Sequence, residues 1–429
     1  MTRLDRMIAI REAQGLSVTS LSALMGYDRT YLNKIEKGLK PLNDSVVQRF
    51  KDALNMPMLP LTKEEEIDFI KSLHSWKDSI IFGETDVAKK LQPQLARCVE
   101  LIQCPSLQIT YDLISTIYYR SVGETERLDD VLASLSKREN SFTKEQAYRY
   151  TRQLAVRELS AWHYRDALKY FLDAEKTGDA LNLNNEGFYY NIAHCLTDMG
   201  YASKAIEYLE KAQKKATEKR SNTYSVYIRD FIALNYSSMG RHHEALEILE
   251  SCLRDEKQKA NKAITIGSLY RSISMVHFKM SNNKNALKNI DIALSYCKIG
   301  SKEYIPCLYH KAVILIADKE VSEAMTYLSK VINMSQKGTI EHVLTTSLKH
   351  YLSITCDDSL NYIETFTLPQ LHGYGKYLVL SDYYEILSGY YKNKNKSKAL
   401  HYSSLANELI KKLSKGDLDL WKNESALLC

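Results

Sequence analysis

The chain has 429 residues, 45% of them hydrophobic, which excludes bulk disorder and predicts more than one domain or an elongated repeat array. Its 16 glycines and 7 prolines are few for this length and argue against a turn-rich all-β protein. The net charge of +6 is modest, but residues 1–57 hold nine Lys or Arg against six Asp or Glu. That local excess of three positive charges suits a phosphate-facing surface.

Several classes of protein are disfavoured by what the sequence lacks. The eight cysteines form neither a CxxC pair nor a Cys/His cluster with zinc spacing, which predicts reduced thiols and no metal site. No Gly-rich phosphate loop, GxSxG or HExxH motif occurs, so we expect no catalytic residues, no cofactor and no enzymatic activity. No apolar run is long enough to span a membrane, and no signal-peptide core follows the N-terminus. We therefore expect a cytoplasmic protein without membrane contact.

Four short helices are predicted at the start of the chain. Their predicted ranges are residues 4–13, 17–25, 29–37 and 43–54. Gly26 provides a turn between the second and third helices, Asp28 caps the third, and Gly38 ends it. Leu21 and Leu24 are expected to share the apolar face of the second helix. The second and third helices together read as a helix-turn-helix.

The third helix and the residues that follow it carry long polar side chains. Those expected to face outward are Arg29, Thr30, Asn33, Lys34, Lys37 and Lys40. Arg and Lys can pair with guanine, Asn with adenine, and Thr with a base or a thymine methyl group. We therefore predict that the first four read the bases of a double-stranded DNA operator and that the two last lysines contact phosphates. The alternative is a small helical hairpin whose outer positions are simply cationic.

The segments IREAQGLS, LSALMGYDRTYLNKIEKGLKP and VVQRFKDAL resemble the Cro/C1 repressor type of DNA-binding domain. In that family an Arg of the first helix pairs with a Glu near the end of the recognition helix. The resemblance implies an Arg11–Glu36 pair that holds the hairpin together without touching DNA. The proline-containing segment MPMLPL breaks the helical pattern after this domain. We accordingly divide the chain into a DNA-binding domain at 1–57, a linker at 58–62 and a third region at 63–429.

The region 63–429 repeats a helical pattern about every 40 residues. A small residue before an apolar one recurs at Ala88, Ala167, Ala205, Ala245, Ala286, Ala324 and Ala399, and Leu128 fills the same position in one unit. Successive spacings are 38 to 41 residues, and a final gap of 75 accommodates one degenerate unit around Asn361. The pattern predicts an all-α array of about nine helical hairpins. An irregular helical bundle is the alternative.

This pattern resembles the tetratricopeptide repeat, which implies a right-handed superhelix with a concave inner wall. In such repeats the second, fifth, sixth and ninth positions of each first helix point inward. The candidates for peptide binding at these positions are Arg149, Arg152, Tyr190, Asn191, His194, Tyr227, Asp230, Phe231, Arg271, Tyr309 and Tyr384. Asn can satisfy both the N–H and the C=O of a peptide, Arg can bind a carboxylate, and Tyr adds contact area. The alternative is that several of these side chains pack between helices.

A Cro-like domain followed by slightly long tetratricopeptide units resembles the peptide-controlled regulators of Gram-positive bacteria, the RRNPP group of Rap, Rgg, NprR, PlcR and PrgX proteins. Length and repeat count look most like the NprR type. The resemblance implies a quorum-sensing transcriptional regulator, a homodimer or tetramer, in which a short signalling peptide in the concave groove alters oligomer geometry and DNA binding. It also implies an alternative: a Rap-like protein that sequesters a response regulator or helps to dephosphorylate it.

Overall fold

The computed structural model of the protein describes residues 3–54, 63–81, 83–99, 104–218, 224–258, 263–301, 303–354 and 356–416. Every regular element in these ranges is helical, which confirms the predicted all-α class. The chain divides into two compact units, Met1–Gln153 and Leu154–Cys429. The predicted linker at 58–62 lies outside the described residues. The division at that linker therefore stays a prediction.

The first unit begins with four short helices around one small core. They are α1 (Arg3–Ala13), α2 (Val18–Met25), α3 (Arg29–Glu36) and α4 (Asp44–Ala53). The buried residues of this core are Met7, Leu21, Met25, Leu32, Ile35, Val46, Val47 and Phe50. The four helices bury one apolar stripe each against the others, which is how so short a segment assembles a closed core.

The turn signals of the helix-turn-helix act as predicted. Asp28 caps α3, where its carboxylate accepts a hydrogen bond of 2.7 Å from the backbone N–H of Thr30. Gly26 and Gly38 end α2 and α3 with φ angles of +67° and +70°, a region that L-amino acids with a Cβ rarely enter. The local chemistry of these residues therefore fixes where the recognition helix begins and ends.

One detail of the predicted core is wrong. Leu21 is 1% exposed, but Leu24 is 57% exposed and lies outside the core. Because a helix turns about 100° per residue, Leu21 and Met25 fall on nearly the same side, whereas Leu24 is turned about 100° away from Met25. Met25, which is 4% exposed, fills the place expected for Leu24.

The ion pair implied between Arg11 and Glu36 is present and mostly buried. Arg11 Nε lies 2.8 Å from Glu36 Oε1, and Arg11 Nη2 lies 3.1 Å from Glu36 Oε2. A third donor, Arg11 Nη1, bonds the carbonyl of Leu16 at 2.8 Å. The side chains of the pair are 10% and 13% exposed. The guanidinium thus ties α1 to the end of the recognition helix.

We expect Glu36→Ala to destabilise the first four helices by about 3 kcal/mol, because it leaves a mostly buried guanidinium without its carboxylate. Glu12 offers a matched control, since it also contacts Arg11, at 3.2 Å, but is 63% exposed. Glu12→Ala should cost less than about 0.5 kcal/mol. Hydrogen exchange of residues 3–54 in the full chain measures both. Equal loss of protection in the two variants would contradict the assignment.

Longer helices follow in pairs. In the first unit they are α5 (Lys63–Ile81), α6 (Thr85–Val99), α7 (Pro105–Val122) and α8 (Thr125–Ser136), and α9 (Lys144–Ser160) contains the boundary between units. In the second unit they are α10 (Tyr164–Ala180), α11 (Glu186–Met199), α12 (Ala202–Glu218), α13 (Ser225–Ser238), α14 (His242–Gln258), α15 (Ala263–Lys279), α16 (Asn283–Tyr296), α17 (Tyr304–Ala317), α18 (Val321–Met334), α19 (Ile340–Leu352), α20 (Asp357–Tyr362), α21 (Leu368–Tyr374), α22 (Tyr377–Tyr391) and α23 (Lys396–Lys415).

The repeat prediction is confirmed by these helices. In the described residues they form nine successive pairs, with α20, a π-helical turn at Ile363–Thr367 and α21 together serving as the second arm of the eighth. The repeated small residues lie on the second helix of each pair, and from Ala88 to Ala324 none is more than 5% exposed. A side chain that ends at Cβ lets two helices approach closely. The degenerate unit predicted around Asn361 is the pair that contains the π-helical turn.

Candidate functional sites

The outer face of α3 is accessible. Arg29, Thr30, Lys34, Lys37 and Lys40 are exposed and Asn33 is half-buried. The opposite face carries Leu32 and Ile35, which are 2% and 0% exposed. The structure therefore places all six predicted DNA-contacting residues on or just after a helix that is anchored from behind. Whether they touch DNA stays a prediction.

In the second unit, four of the predicted groove residues form one aromatic cluster across two neighbouring helices. Tyr190 and His194 lie on α11, and Tyr227 and Phe231 lie on α13. The ring centroids of Tyr190 and Phe231 are 5.3 Å apart, and those of His194 and Phe231 are 5.0 Å apart. Tyr227 lies 6.3 Å from Tyr190 and remains 41% exposed. In this cluster the rings of Tyr190, His194 and Phe231 pack against one another, while Tyr227 remains open to solvent.

A polar group adjoins this aromatic cluster. Asp230 is 7% exposed, and its Oδ1 has no hydrogen-bond partner among the described residues. Burial raises the pKa of Asp230 to about 6, against the opposing influence of Ser272 and of the positive charge of Arg271. Burial and the same guanidinium lower the pKa of His310 to about 3. The carboxyl group of Asp230 on α13, the guanidinium of Arg271 on α15 and the neutral imidazole of His310 on α17 therefore lie near one another.

We expect Asp230→Asn to stabilise the chain at neutral pH. Because the folded-state pKa of about 6 lies above the unfolded value of about 3.9, the native state binds the proton more tightly, and stability falls as pH rises from about 4 to 7. The asparagine should raise the free energy of unfolding at pH 7.5 by up to about 2 kcal/mol and remove this dependence. Urea unfolding at pH 5 and 7.5 measures it. With the exposed Asp173→Asn as control, an equal gain in both variants would refute the assignment.

The other predicted groove residues lie in different settings. Asn191 and Tyr309 are half-buried on α11 and α17, and burial followed by the charge of Asp382 raises the pKa of Tyr309. Tyr384 is 2% exposed and stacks on Tyr402 with ring centroids 6.1 Å apart, so it packs between α22 and α23 instead of lining a surface. Tyr384 therefore follows the alternative, packing between helices, that the sequence leaves open for such residues.

The two arginines predicted to begin the groove belong to the first unit. Both lie on α9 and are half-buried, and Arg149 forms an ion pair of 2.6 Å with Glu145. The residues that the structure brings together in the second unit are Tyr190, His194, Tyr227, Asp230, Phe231 and Arg271.

Beside the aromatic cluster lies a contact that the sequence did not predict, between residues 178 positions apart. Lys376 Nζ lies 2.5 Å from Asp198 Oδ1 and 4.5 Å from the ring centroid of Tyr164. The second carboxylate oxygen of Asp198 lies 3.2 Å from Nε2 of His194, a member of the aromatic cluster. Burial by itself raises the pKa of Asp198, but the charge of Lys376 and the hydrogen bond of His194 lower it well below its ordinary range. We call Asp198, Lys376, His194 and Tyr164 the clasp.

Two turns approach each other closely beside the clasp. A Cβ atom on Gly200 would lie 2.7 Å from Cγ of Leu378, and one on Gly375 would lie 3.2 Å from Cγ of Met199. Because glycine has no Cβ at either position, the turn after α11 and the turn before α22 can lie this close together. Hairpins of the second unit that are distant in sequence therefore close against each other. The missed signal was local: His194 and Asp198 are four residues apart on one helix face. Nothing local indicates Lys376.

The described residues contain no group of three or more His, Cys, Asp or Glu side chains placed to hold a metal ion. None of the described helices combines the length and apolarity that crossing a bilayer requires.

Two models of known families match short stretches of the chain. A helix-turn-helix family model matches residues 7–61, and a tetratricopeptide repeat model matches residues 187–214. No curated protein sequence matches the chain significantly.

Solved structures resemble the chain over most of its length. NprR in complex with its cognate peptide NprX has a TM-score of 0.72 at 19% identity, over 80% of this chain and 99% of that one. The apo form of the quorum sensor NprR from B. thuringiensis scores 0.59 at 20% identity, with the same two coverages of 80% and 99%. A Rap protein complexed with competence and sporulation factor scores 0.70 at 15% identity, over 81% and 99%. The chain thus carries an N-terminal helix-turn-helix domain of the matched family and has the fold of the NprR and Rap members of the RRNPP group, as the sequence resemblance implied.

Proposed function

We propose that this chain is a cytoplasmic, quorum-sensing transcriptional regulator that binds operator DNA through α3 and a short signalling peptide through the groove of its second unit. Residues 1–57 serve as the DNA-binding domain, 58–62 as the linker and 63–429 as the region for peptide binding and oligomerisation. The chain acts by binding and not by catalysis. The observation that carries this proposal is the presence, in one chain, of an accessible recognition helix and of an aromatic and polar groove wall.

The groove supports an extended peptide by its chemistry. Asn191 can pair with a peptide backbone, Arg271 can bind a carboxylate, and the unpaired oxygen of Asp230 can accept from an N–H donor. Tyr190 and Tyr227 supply contact area with few rotatable bonds. The ligand is therefore an extended peptide whose backbone and side chains meet both polar and aromatic groups. The fold shared with NprR, of which a peptide complex is known, supports the same ligand class.

The clasp connects the groove residues to the geometry of the second unit. His194 belongs both to the aromatic cluster and to the clasp, so a peptide that packs on Phe231 and Tyr190 also acts on the contact between Asp198 and Lys376. A peptide shifts the closed population only by its differential affinity for the closed and open forms. In a homodimer two recognition helices must lie about one DNA turn, ~34 Å, apart, so a change in closure alters operator binding.

Isothermal titration of the full chain with synthetic peptides of five to eight residues tests the groove. We expect binding with a 1:1 stoichiometry per chain and at least a tenfold loss of affinity in Asn191→Ala and in Arg271→Ala. Lys214→Ala, which changes an exposed side chain of α12 that is not among the predicted groove residues, is the control. Undiminished affinity in both groove variants would refute this assignment of the site.

A second candidate function has its own support, because the fold is also similar to that of a Rap protein, with a TM-score of 0.70 against 0.72 for NprR. In that case the chain would sequester a response regulator or help to dephosphorylate it. Capture of a purified response regulator by the chain, undiminished after deletion of residues 1–57, would favour this alternative. Loss of the complex with operator DNA after the same deletion would favour the first function, that of a transcriptional regulator.

A further inference from the structure

Two cations of the helix-turn-helix domain rest on aromatic rings. Cζ of Arg49 lies 4.8 Å from the ring centroid of Tyr27, and Nζ of Lys40 lies 4.7 Å from that of Tyr31. The two tyrosine rings are themselves 5.1 Å apart, at an angle of 31°. Arg49, Tyr27, Tyr31 and Lys40 therefore form one continuous series, which we call the aromatic ladder.

The aromatic ladder lies where the recognition helix begins. Tyr27 stands directly before the cap residue of α3, and Tyr31 lies in its first turn. Arg49 comes from α4, and its Nη1 lies 3.4 Å from the carbonyl oxygen of Gly26 in the turn between α2 and α3. In helix-turn-helix domains the N-terminal residues of the recognition helix meet the base edges, with the DNA backbone on either side. The aromatic ladder thus holds Arg49 at one end and Lys40 at the other, close to the N-terminus of α3.

The ladder leaves both positive charges uncompensated. Within residues 3–54, neither Lys40 nor Arg49 forms an ion pair with a carboxylate, whereas Arg6 and Arg11 pair with Glu65 and Glu36. A carboxylate partner would compete with a phosphate for the cation, but an aromatic face attracts the cation without neutralising it. Stacking also restricts long side chains that would otherwise lose much rotamer freedom on binding. The two cations are therefore both charged and already positioned.

We propose that Arg49 and Lys40 are a preorganised pair of phosphate-binding groups, and that Tyr27 and Tyr31 are the positioning residues that hold them beside the bases read by α3. Of these two cations, the sequence had indicated only Lys40 for a phosphate contact, together with Lys37. The inference rests on the proposed DNA-binding function and adds Arg49 from a helix outside the helix-turn-helix hairpin.

The test is the salt dependence of DNA binding by the full chain. Fluorescence anisotropy at 50 to 300 mM NaCl uses a labelled duplex from the gene's own upstream region and an unrelated duplex of equal length. Each phosphate contact contributes about 0.9 to the slope of log K against log salt concentration, so Arg49→Gln should lower the slope by about 0.9 on both duplexes. Affinity at 0.1 M salt should fall about eightfold.

Matched variants separate positioning from charge and from folding. Lys51→Gln removes the same charge from α4 two residues away and should leave the slope unchanged. Tyr27→Leu keeps both cations but removes a ring and should weaken binding, while Tyr27→Phe should restore the wild-type slope. Thermal unfolding of each variant identifies any loss of folding.

The outcomes distinguish this inference from the proposal on which it rests. If the wild-type chain binds neither duplex at 50 mM salt, the DNA-binding function itself fails. If the wild-type chain binds but folded Arg49→Gln keeps the slope of Lys51→Gln, or Tyr27→Leu behaves as Tyr27→Phe, the ladder does not position phosphate contacts and the inference is overturned.

Discussion

Replacing Arg29 and Lys34 together by alanine should abolish sequence-specific operator binding while leaving the fold intact. Both side chains are exposed on α3, whose buried face is held by Leu32 and Ile35, so their removal leaves no cavity. Each lost base contact costs about 1–3 kcal/mol, which gives at least a thirtyfold loss for two contacts. A gel shift with an inverted-repeat operator measures this loss.

The control for this experiment is a double variant of α4, Gln48→Ala with Lys51→Ala, which removes an exposed and a half-buried polar side chain from the same domain. Its operator affinity should stay within a factor of about three. Loss of binding confined to the operator duplex would identify base reading. Unchanged operator binding by the α3 variant would sink the assignment of the recognition helix.

The second large effect is expected at the clasp. Lys376→Met removes the cation whose Nζ lies 2.5 Å from Asp198 and leaves a mostly buried carboxylate without it. Breaking one partner of such a pair costs about 3–5 kcal/mol, because the remaining charge is poorly solvated. We expect the free energy of unfolding, measured in urea for the full chain, to fall by this amount. We also expect the radius of gyration in small-angle scattering to increase as the two turns separate.

Two further variants show whether the loss comes from the clasp. Lys376→Met combined with Asp198→Asn removes both charges and should recover most of the lost stability. Lys215→Met breaks an ordinary ion pair with Glu218 on the same unit, 3.1 Å long and partly exposed, and should cost about 0.5 kcal/mol or less. If Lys376→Met is no more destabilising than Lys215→Met, the clasp does not hold the unit closed.

The clasp should also persist across the physiological pH range. Because the folded-state pKa of Asp198 is lowered, its contribution is present above the ordinary unfolded pKa of about 3.9 and is lost only as pH falls through the lower folded value. The pH dependence of the Asp230 contribution has the opposite sign. Because the folded-state pKa of Asp230 is raised, its charged form destabilises the fold as pH rises.

The sequence predicted the features that rest on local chemistry or on periodicity. Asp28, Gly26 and Gly38 mark the recognition helix because capping and left-handed turns depend on one or two residues. The repeated alanines indicated the hairpins because each unit needs one close helix contact at the same place. The pair of Arg11 and Glu36 could be predicted only from the family resemblance. The two residues are 25 positions apart, and no helical or repeat spacing links them.

Features that depend on three-dimensional packing were not predictable in this way. Leu24 is exposed because the turn of the helix places Met25, and not Leu24, on the side of α2 that faces the core. Tyr384 occupies an inward position by repeat numbering, but the last hairpin packs it against Tyr402. Lys376 approaches Asp198 only after the hairpins of the second unit have closed, so no sequence window contains both residues.

A peptide bound in the proposed groove should control DNA binding by the same chain. Anisotropy of a labelled duplex from the gene's upstream region, titrated with the full chain with and without a groove-binding peptide, tests it most directly. We predict a change of at least fivefold in operator affinity that disappears in Asn191→Ala and Arg271→Ala variants. Operator affinity that stays the same while the peptide saturates the groove would contradict the account.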